Sequence, residues 1–347
     1  MTNGTPPFTL HGRAYVKRFL LLAAGFWLTA GLGLAFHAAA ADGLYFGPPN
    51  SEECLYSGSD AWGRVNPAVG VFPTISIAND VVVLQRSAPA GQAILFDGLG
   101  NTLLDASDLG AATSAGYRLN ITFFEQNGWD FMFDMLLMGE MASRQSVDSS
   151  GGVNLFFYQG VALDPVDTAT FRSDLDTGEF NGRYRFNRYL AALGGVRYFE
   201  LSEHLDFNER GSSSAYRSQT DNRLIGGQLG AEGVLPLWGY GRLFGVGKYG
   251  IYNNRFDVAA QALSGGSPIH MHVHDDMSAS AGEFNAGWEV QTVPCMTLRF
   301  GYQALWLRNV ALTTDQLNQY SLFDSSGNVR RGHAFYQGWF AGVVFTF

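Results

Sequence analysis

A histidine-rich run, "HMHVHDD", holds the residues of this chain that most directly suggest chemistry. His270, His272 and His274 alternate, so an extended chain would place all three imidazoles on one side, with Asp275 or Asp276 nearby. Imidazole suits zinc, copper or nickel. Same-face residues of a strand lie about 6–7 Å apart, whereas zinc ligands lie about 2 Å from the metal, so a bend would be required. We expect a weak external metal site at most, and otherwise a solvated outer loop.

The composition indicates which kind of element carries this run. The chain of 347 residues has 15% charged residues, 43 Gly, 27 Phe and 15 Tyr, with a net charge of -9. Soluble domains carry nearer a quarter charged residues. Low charge with abundant glycine and aromatic residues favours a sheet with one apolar and one polar face. The acidic balance argues against a nucleic-acid partner, which requires basic patches.

The N-terminal segment has the layout of a secretory signal. Basic residues precede an apolar run at 19–36, and Ala38 and Ala40 fit an A-x-A cleavage site. The apolar run is somewhat long, which leaves an uncleaved anchor as the alternative. We predict a cleaved signal peptide over 1–40, an irregular periplasmic lead-in over 41–77 and a β-barrel over 78–347. No later apolar run is long enough for a transmembrane helix.

Alternating side chains predict the strands. In "SAGYRLNITFF" the apolar residues Tyr117, Leu119 and Ile121 alternate with Arg118 and Asn120, which is the period-two pattern of a strand. A soluble sandwich would show the same period. The apolar face, however, is crowded with Trp, Tyr and Phe, which is typical of transmembrane barrels. We therefore predict an all-β fold, an antiparallel up-and-down transmembrane β-barrel.

One predicted strand breaks the pattern. Phe171 and Leu175 fall on one parity, whereas Phe180 and Tyr184 fall on the other. A change of parity within a strand indicates a β-bulge or an unrecognised turn. We place that irregularity near Gly178.

The alternating runs give the strand count, and the connections between them are an independent check. We predict about ten strands, within a range of eight to twelve, and the connections alternate between long and short, as outer loops and periplasmic turns do. The even count puts both barrel ends in the periplasm. The predicted strands are 78–87, 112–124, 128–142, 170–187, 189–208, 221–236, 241–260, 277–292, 296–312 and 333–347.

The last strand ends on alternating apolar residues. Phe345 and Phe347 share one parity with Trp339, and this ending resembles the assembly signal of bacterial outer-membrane proteins. The resemblance implies export to the outer membrane of a diderm bacterium. It also implies contact with the barrel-assembly machinery and with outer-membrane lipids.

The whole pattern resembles the beta-barrel porin seven family of exported bacterial proteins. The resemblance covers about residues 79–347 and rests on "NDVVVLQRS", on the hairpin "GYRLNITFFEQNGWDFMF" and on "DLDTGEFNGRYRFNRYLAALGGVRYFELSEHLDF". It implies an outer-membrane barrel and little more. The histidine run is not a feature that the resemblance implies.

The residues on the polar parity indicate what the lumen could do. Long side chains of positive and negative charge would pair across the lumen of so narrow a barrel, since open porins use sixteen or more strands. We therefore favour a structural or surface-binding barrel with a plugged lumen, with a small-solute channel as the alternative. A hydrolase at the outer rim is a weaker alternative, because no nucleophile motif is present. We expect neither an enzyme nor a cofactor. The predicted lumen-facing residues are Arg118, Asp130, Asp134, Arg183, Arg185, Glu232, Glu283, Glu289 and Arg299.

The chain has two cysteines, Cys54 and Cys295. The predicted topology places both on the periplasmic side, and an exported compartment permits a disulfide. Two unpaired thiols remain the alternative, because sequence separation says nothing about distance.

Overall fold

The computed structural model describes a single long β-sheet with short elements at one end. The described residues are 75–97, 99–110, 112–124, 128–147, 153–155, 162–163, 166–209, 216–237, 241–264, 267–293, 295–317, 320–321, 326–327 and 329–346. The predicted signal peptide and lead-in, together with Cys54 and Phe347, lie outside them.

Ten strands form the wall, and we number them in chain order. They are β1 Ile75–Arg86, β2 Ala112–Phe124, β3 Trp129–Met138, β4 Val166–Arg185, β5 Leu190–Glu209, β6 Tyr216–Pro236, β7 Gly241–Ser264, β8 Ser267–Val293, β9 Met296–Val310 and β10 Gly332–Thr346. A further strand, Met141–Ser146, continues the line of β3 and pairs with the outer part of β4.

The wall closes on itself. Each strand pairs with the next one in antiparallel fashion, and β10 returns to β1 through a register that runs from Ser76 opposite Thr346 to Arg86 opposite Tyr336. Closure leaves no sheet edge along the wall, which is what a lipid environment demands of backbone N–H and C=O groups. The prediction of an antiparallel barrel with about ten strands is confirmed.

Short elements lie at the end of the wall that carries the long connections. They are the strands Ala93–Asp97 and Thr102–Asp105, the 3-10 turn Ala106–Leu109, the pairs Val153–Leu155 with Ala162–Leu163, and Tyr320–Ser321 with Ser326–Gly327. The opposite end carries the short turns, near Gly128, at 186–189, near Leu237 and at Cys295.

Two levels of the wall differ in what faces inward. The lower half lies on the side of the short turns and extends up to Arg197 on β5 and Lys248 on β7. The upper half starts at Phe199 and Tyr252 and extends to the long connections. Outward-facing side chains are apolar in the lower half, as at Leu229, which is 75% exposed. In the upper half the outward-facing side chains are mostly polar.

The wall is taller on one side. The strands β4 to β8 have 20 to 27 residues, whereas the other five have 10 to 15. A tilted strand needs about 9–11 residues to cross a membrane. The tall side therefore extends well beyond a bilayer.

The tall side overturns one prediction. The segment that carries the histidine run is not a loop, because β7 runs to Ser264 and β8 starts at Ser267, so that His274 lies opposite Asp257 within one long hairpin. Extended pairing at this position satisfies backbone groups that a solvated loop would leave to water.

The predicted irregularity near Gly178 is also wrong. β4 pairs with β5 in an unbroken register through this region, with Gly178 opposite Tyr198. The bulge lies on the neighbouring strand, where the step from Leu137 to Met141 takes four residues against three on β4. The parity of the apolar residues changes near Gly178 because the inward-facing side becomes apolar above it, and not because the strand is interrupted.

Candidate functional site in the lumen and at the outer mouth

The lumen of the lower half is filled by ionised side chains of both signs. Every one of these residues forms an ion pair with another member of the same set. Acids and bases occur in equal number, so their formal charges cancel. The acids are Asp80, Asp130, Asp134, Glu179, Glu232, Glu283 and Glu289, and the bases are Arg118, Arg183, Arg185, Arg197, Arg242, Lys248 and Arg299.

Glu283 lies at the centre of this ionic layer. It contacts Arg118 and Lys248 at 3.5 Å each and forms a shorter ion pair with Arg197. Glu179 receives Lys248 at 2.5 Å and Arg197 at 3.3 Å. The carboxylates of Glu179 and Glu283 thus share the same two cations, Arg197 and Lys248.

The lower edge of the layer holds a second group of pairs. Arg183 bridges Asp130 at 2.8 Å and Glu232 at 2.9 Å, and Arg185 reaches Asp130 at 3.0 Å. Opposite charges at these distances stabilise each other strongly only where water is excluded. Asp130 is fully buried, so that condition is met here.

The structure places all nine predicted lumen-facing residues on the inward side of the wall. Sequence reasoning missed five further members of the ionic layer. Glu179 and Arg197 flank the level at which the parity of the apolar residues changes, and Lys248 and Arg242 lie in a strand whose pattern is mixed for the same reason. The fifth, Asp80, lies on β1 among valines, and only the register in the structure shows it opposite Arg118.

Apolar side chains pack together inside the wall above the ionic layer. Phe199 and Tyr252 form an edge-to-face pair with ring centroids 5.3 Å apart, and Arg197 lies under the Phe199 ring at 4.3 Å. These apolar residues continue toward the long connections as a packed core. Its buried members include Leu84, Leu136, Phe171, Leu175, Leu201, Leu205, Phe207, Leu224, Phe256, Val258, Leu305 and Leu307.

The segment that follows β9 packs inside the upper half rather than outside it. Asn222 accepts a hydrogen bond from the Ala311 N–H at 2.8 Å and donates one to the Ala311 carbonyl at 2.7 Å. Thr313 donates its backbone N–H to Glu203 at 3.2 Å. Glu203 and Arg86 form an ion pair at 2.6 Å with side chains only 0% and 2% exposed. We name residues 311–317 the mouth segment.

His272 and His274 lie on the outward-facing side of the tall hairpin. His274 Nδ1 lies 2.8 Å from an Asp257 carboxylate oxygen, and His272 Nε2 lies 3.8 Å from the same atom. The side chain of His270 is outside the described residues. Within the described part of the chain, no group of three or more His, Cys, Asp and Glu side chains is arranged to hold a metal ion.

A cleft of about 90 Å³ opens between the connection after β1 and the two ends of the connection between β9 and β10. Its lining comprises Pro89, Ala90, Leu312, Thr314, Asp315, Arg330, Arg331, Gly332 and His333. Burial raises the pKa of Asp315, against the opposing effect of Arg330, His333 and Arg86. Asp315 and His333 thus share a cleft, although no hydrogen bond joins them. We name this feature the rim cleft.

Two predicted features lie at the turn side. Phe345 lies on the outward-facing side of β10, in register with Ile77 and Met296. Cys295 is exposed in the turn between β8 and β9. Since Cys54 lies outside the described residues, the disulfide stays a prediction.

The outward-facing side chains define the class of protein. Aromatic residues form stacked or tilted pairs on the lower wall, such as Trp129 with Tyr184 at 5.1 Å and Phe300 with Trp339 at 5.5 Å. The described residues include no helix that is both long and apolar enough to cross a bilayer. A closed wall with an apolar, aromatic-rich band on its outward-facing side is a transmembrane β-barrel, the architecture of bacterial outer-membrane proteins.

Comparison with known proteins gives no family for this chain. No protein-family model and no curated protein matches the sequence. Similar solved structures include the outer-membrane protease OmpT from Escherichia coli, at 11% identity and a TM-score of 0.40, covering 79% of this chain and 96% of that one. The translocator domain of the autotransporter NalP from Neisseria meningitidis has 10% identity and a TM-score of 0.41, covering 80% of this chain and 90% of that one. Such likeness assigns no activity.

Proposed function

We propose that this chain is an outer-membrane protein with a sealed lumen, whose upper half projects from the membrane to bind a partner at the cell surface. The observation that carries the proposal is the filling of the lumen by two successive layers. The ionic layer has no unpaired charge, and the apolar core above it encloses the mouth segment.

The location rests on physical grounds. The lower wall faces outward with apolar and aromatic residues, and the wall has no open edge. Barrels of this kind occupy bacterial outer membranes. The predicted signal peptide and the terminal Phe345 and Phe347 fit export and assembly there. Fractionation with outer membranes and heat-modifiable migration on a gel test the location, and recovery as a soluble periplasmic protein would contradict it.

The sealed lumen is tested by conductance in planar bilayers. We expect the wild-type barrel to give no steps above background. Phe199→Ala/Tyr252→Ala removes both rings of the central aromatic pair, so we expect this double variant to conduct more than the wild type if the apolar layer is the seal. Each protein is first shown to be folded by its heat-modifiable migration.

A porin-like channel for small solutes is the alternative. Regular ohmic steps from the wild-type barrel would establish it and would end the sealed-lumen proposal. The ionic layer would then be the selectivity region, because every member of it lines the path that an ion would take.

Membership of the beta-barrel porin seven family is part of the proposal. It is supported by the hairpin around Gly128 and Trp129 and by the run "GGVRYFEL", which lies within β5 in the structure. Detection of a statistically significant match to that family by a profile built from relatives of this chain is the test.

A further inference from the structure

We propose that the rim cleft binds the oxyanion of a phosphate group, with Arg330, Arg331 and the Thr314 hydroxyl as the recognising groups. The inference rests on the proposed surface-binding role and names the chemistry of the ligand. Nothing in it depends on whether the lumen conducts.

The charge around the cleft is the first reason. The chain as a whole is acidic, with a net charge of -9. The rim cleft nevertheless gathers two arginines and a histidine around one carboxylate. Arginine guanidinium groups match phosphate oxygens in a planar, two-pronged geometry. Both arginines are exposed and lie next to each other in the chain, so a ligand at the surface can reach them.

An unsatisfied donor is the second, independent reason. Thr314 is 2% exposed, and its hydroxyl has no hydrogen-bond partner among the described residues. A buried hydroxyl without a partner costs free energy, which a ligand oxygen at this position would recover. Thr314 is among the residues that line the same cleft as the two arginines.

The carboxylate of Asp315 must be reconciled with an anionic ligand. Its pKa is raised by burial, and no described residue within the cleft donates a hydrogen bond to it. The guanidinium groups of Arg330 and Arg331 outnumber this one carboxylate, so the formal charge of the cleft lining stays positive. Gly332 makes this position possible, because a Cβ there would lie 2.0 Å from Asp315 Oδ2.

The volume limits the size of the bound group. About 90 Å³ accommodates a few non-hydrogen atoms and not a whole sugar or nucleotide. Two sources share this chemistry, a dissolved phosphate and the phosphorylated headgroup of a glycolipid in the outer leaflet. In either case the rest of the ligand would lie outside the cleft.

The experiment is calorimetric titration of the full-length protein with inorganic phosphate, in an uncharged detergent and at constant ionic strength. We expect saturable binding in the millimolar range or tighter. Arg330→Gln/Arg331→Gln should weaken it by at least about tenfold, since charge-assisted hydrogen bonds are lost. Thr314→Val keeps the shape and should cause a smaller loss. Arg223→Gln removes an exposed charge from the outward-facing side of β6, a strand that does not line the cleft, and should change nothing.

A second arm separates the two sources. The titration is repeated in nanodiscs of phosphatidylcholine with and without a phosphorylated glycolipid. Loss of phosphate binding only in the glycolipid discs identifies the lipid headgroup as the ligand, and equal binding in both identifies a dissolved phosphate. Absence of saturable binding to the wild type, unchanged affinity in the double arginine variant, or an equal loss in Arg223→Gln would overturn the inference. A conducting barrel that still binds phosphate would contradict the sealed lumen and leave this inference standing.

Discussion

The lower and upper halves of the wall are built from the same ten strands with opposite polarity. In the lower half Leu229 and Ile251 face outward and Arg197 and Glu283 face inward. In the upper half Arg223 faces outward while residues such as Phe199 face inward. The solvent explains the inversion, because lipid surrounds the lower half and water surrounds the upper one. The barrel therefore hides charge where its surroundings are apolar and hides apolar side chains where they are aqueous.

The difference teaches how one chain satisfies both environments without changing its fold. A buried ion pair is costly relative to an apolar pair of the same shape. The lower half tolerates that cost because its apolar residues are needed on the outward-facing side. The upper half has no such need and forms an ordinary hydrophobic core, which is the dominant stabilising contribution in water.

The strongest expected effect comes from breaking the ionic layer at its centre. Glu283→Leu leaves Arg118, Arg197 and Lys248 with less compensating charge in a buried layer. We expect a loss of about 3–5 kcal/mol in the free energy of unfolding, measured by urea unfolding of the barrel in lipid vesicles. Glu232→Leu is the matched control, because Glu232 pairs with a single arginine at the partly exposed edge. An equal loss in both variants would show that the centre of the layer contributes no more to the free energy of unfolding than its edge does.

Truncation of the upper core should give the next largest effect. Phe207 is fully buried, and its ring lies 5.6 Å from that of Tyr216. We expect Phe207→Ala to cost about 3–4 kcal/mol, as cavity-forming substitutions in soluble cores do. The outward-facing Phe180 of the lower half is the control in the same assay, because lipid chains can fill the space that Phe180→Ala leaves. A larger cost at Phe180 would contradict the assignment of the upper half as the water-surrounded core.

A charge placed on the outward-facing side should distinguish the halves directly. Leu229→Arg puts a cation against lipid and should cost about 2–4 kcal/mol near the bilayer midplane. Arg223 lies on the same side of the same strand, in the upper half, so Arg223→Leu should change stability by less than about 0.5 kcal/mol. Similar costs for the two exchanges would place the membrane boundary elsewhere on β6.

The inversion also explains what could be predicted from sequence. The alternation around Tyr117 and Arg118 is a pattern of the lower half, where one face is apolar and the other polar, and it predicted the barrel and the strand count. At Phe171 and Leu175 the apolar residues move to the inward-facing side, and a rule that always places them outward reads this as a bulge. The real bulge, after Leu137, leaves no such mark, because one extra residue in a short strand is indistinguishable from a strand end.

The rim cleft was beyond sequence reasoning for a different reason. Thr314 and Arg330 are separated by a connection whose length carries no periodic pattern, and Pro89 comes from the far end of the chain. Only closure of β10 against β1 brings the three together. The histidine run, by contrast, was conspicuous in sequence and is spread along an outward-facing hairpin in the structure. A cluster of residue types in the sequence predicts a binding site only when the residues that form the site are close together in the chain.

The smallest expected effect is the pH dependence of stability at two aspartates in the long connections, Asp97 and Asp315. Both lie on the side of the barrel that water surrounds, and they differ in burial. Asp97 accepts hydrogen bonds from the Asn101 side chain and backbone, which lower its pKa. Asp315 is half-buried in the rim cleft, which raises its pKa. A lowered pKa contributes stability above the unfolded pKa, and this contribution is lost as the pH falls. A raised pKa has the opposite sign, with a penalty that is present at neutral pH and disappears on acidification below the unfolded value of about 3.9.

Asp97→Asn should therefore destabilise slightly at pH 7 and become neutral in acid, whereas Asp315→Asn should stabilise slightly at pH 7 and become neutral in acid. Thermal unfolding of both variants at several pH values measures the two trends, and trends of the same sign would show that burial does not govern the charge of Asp315.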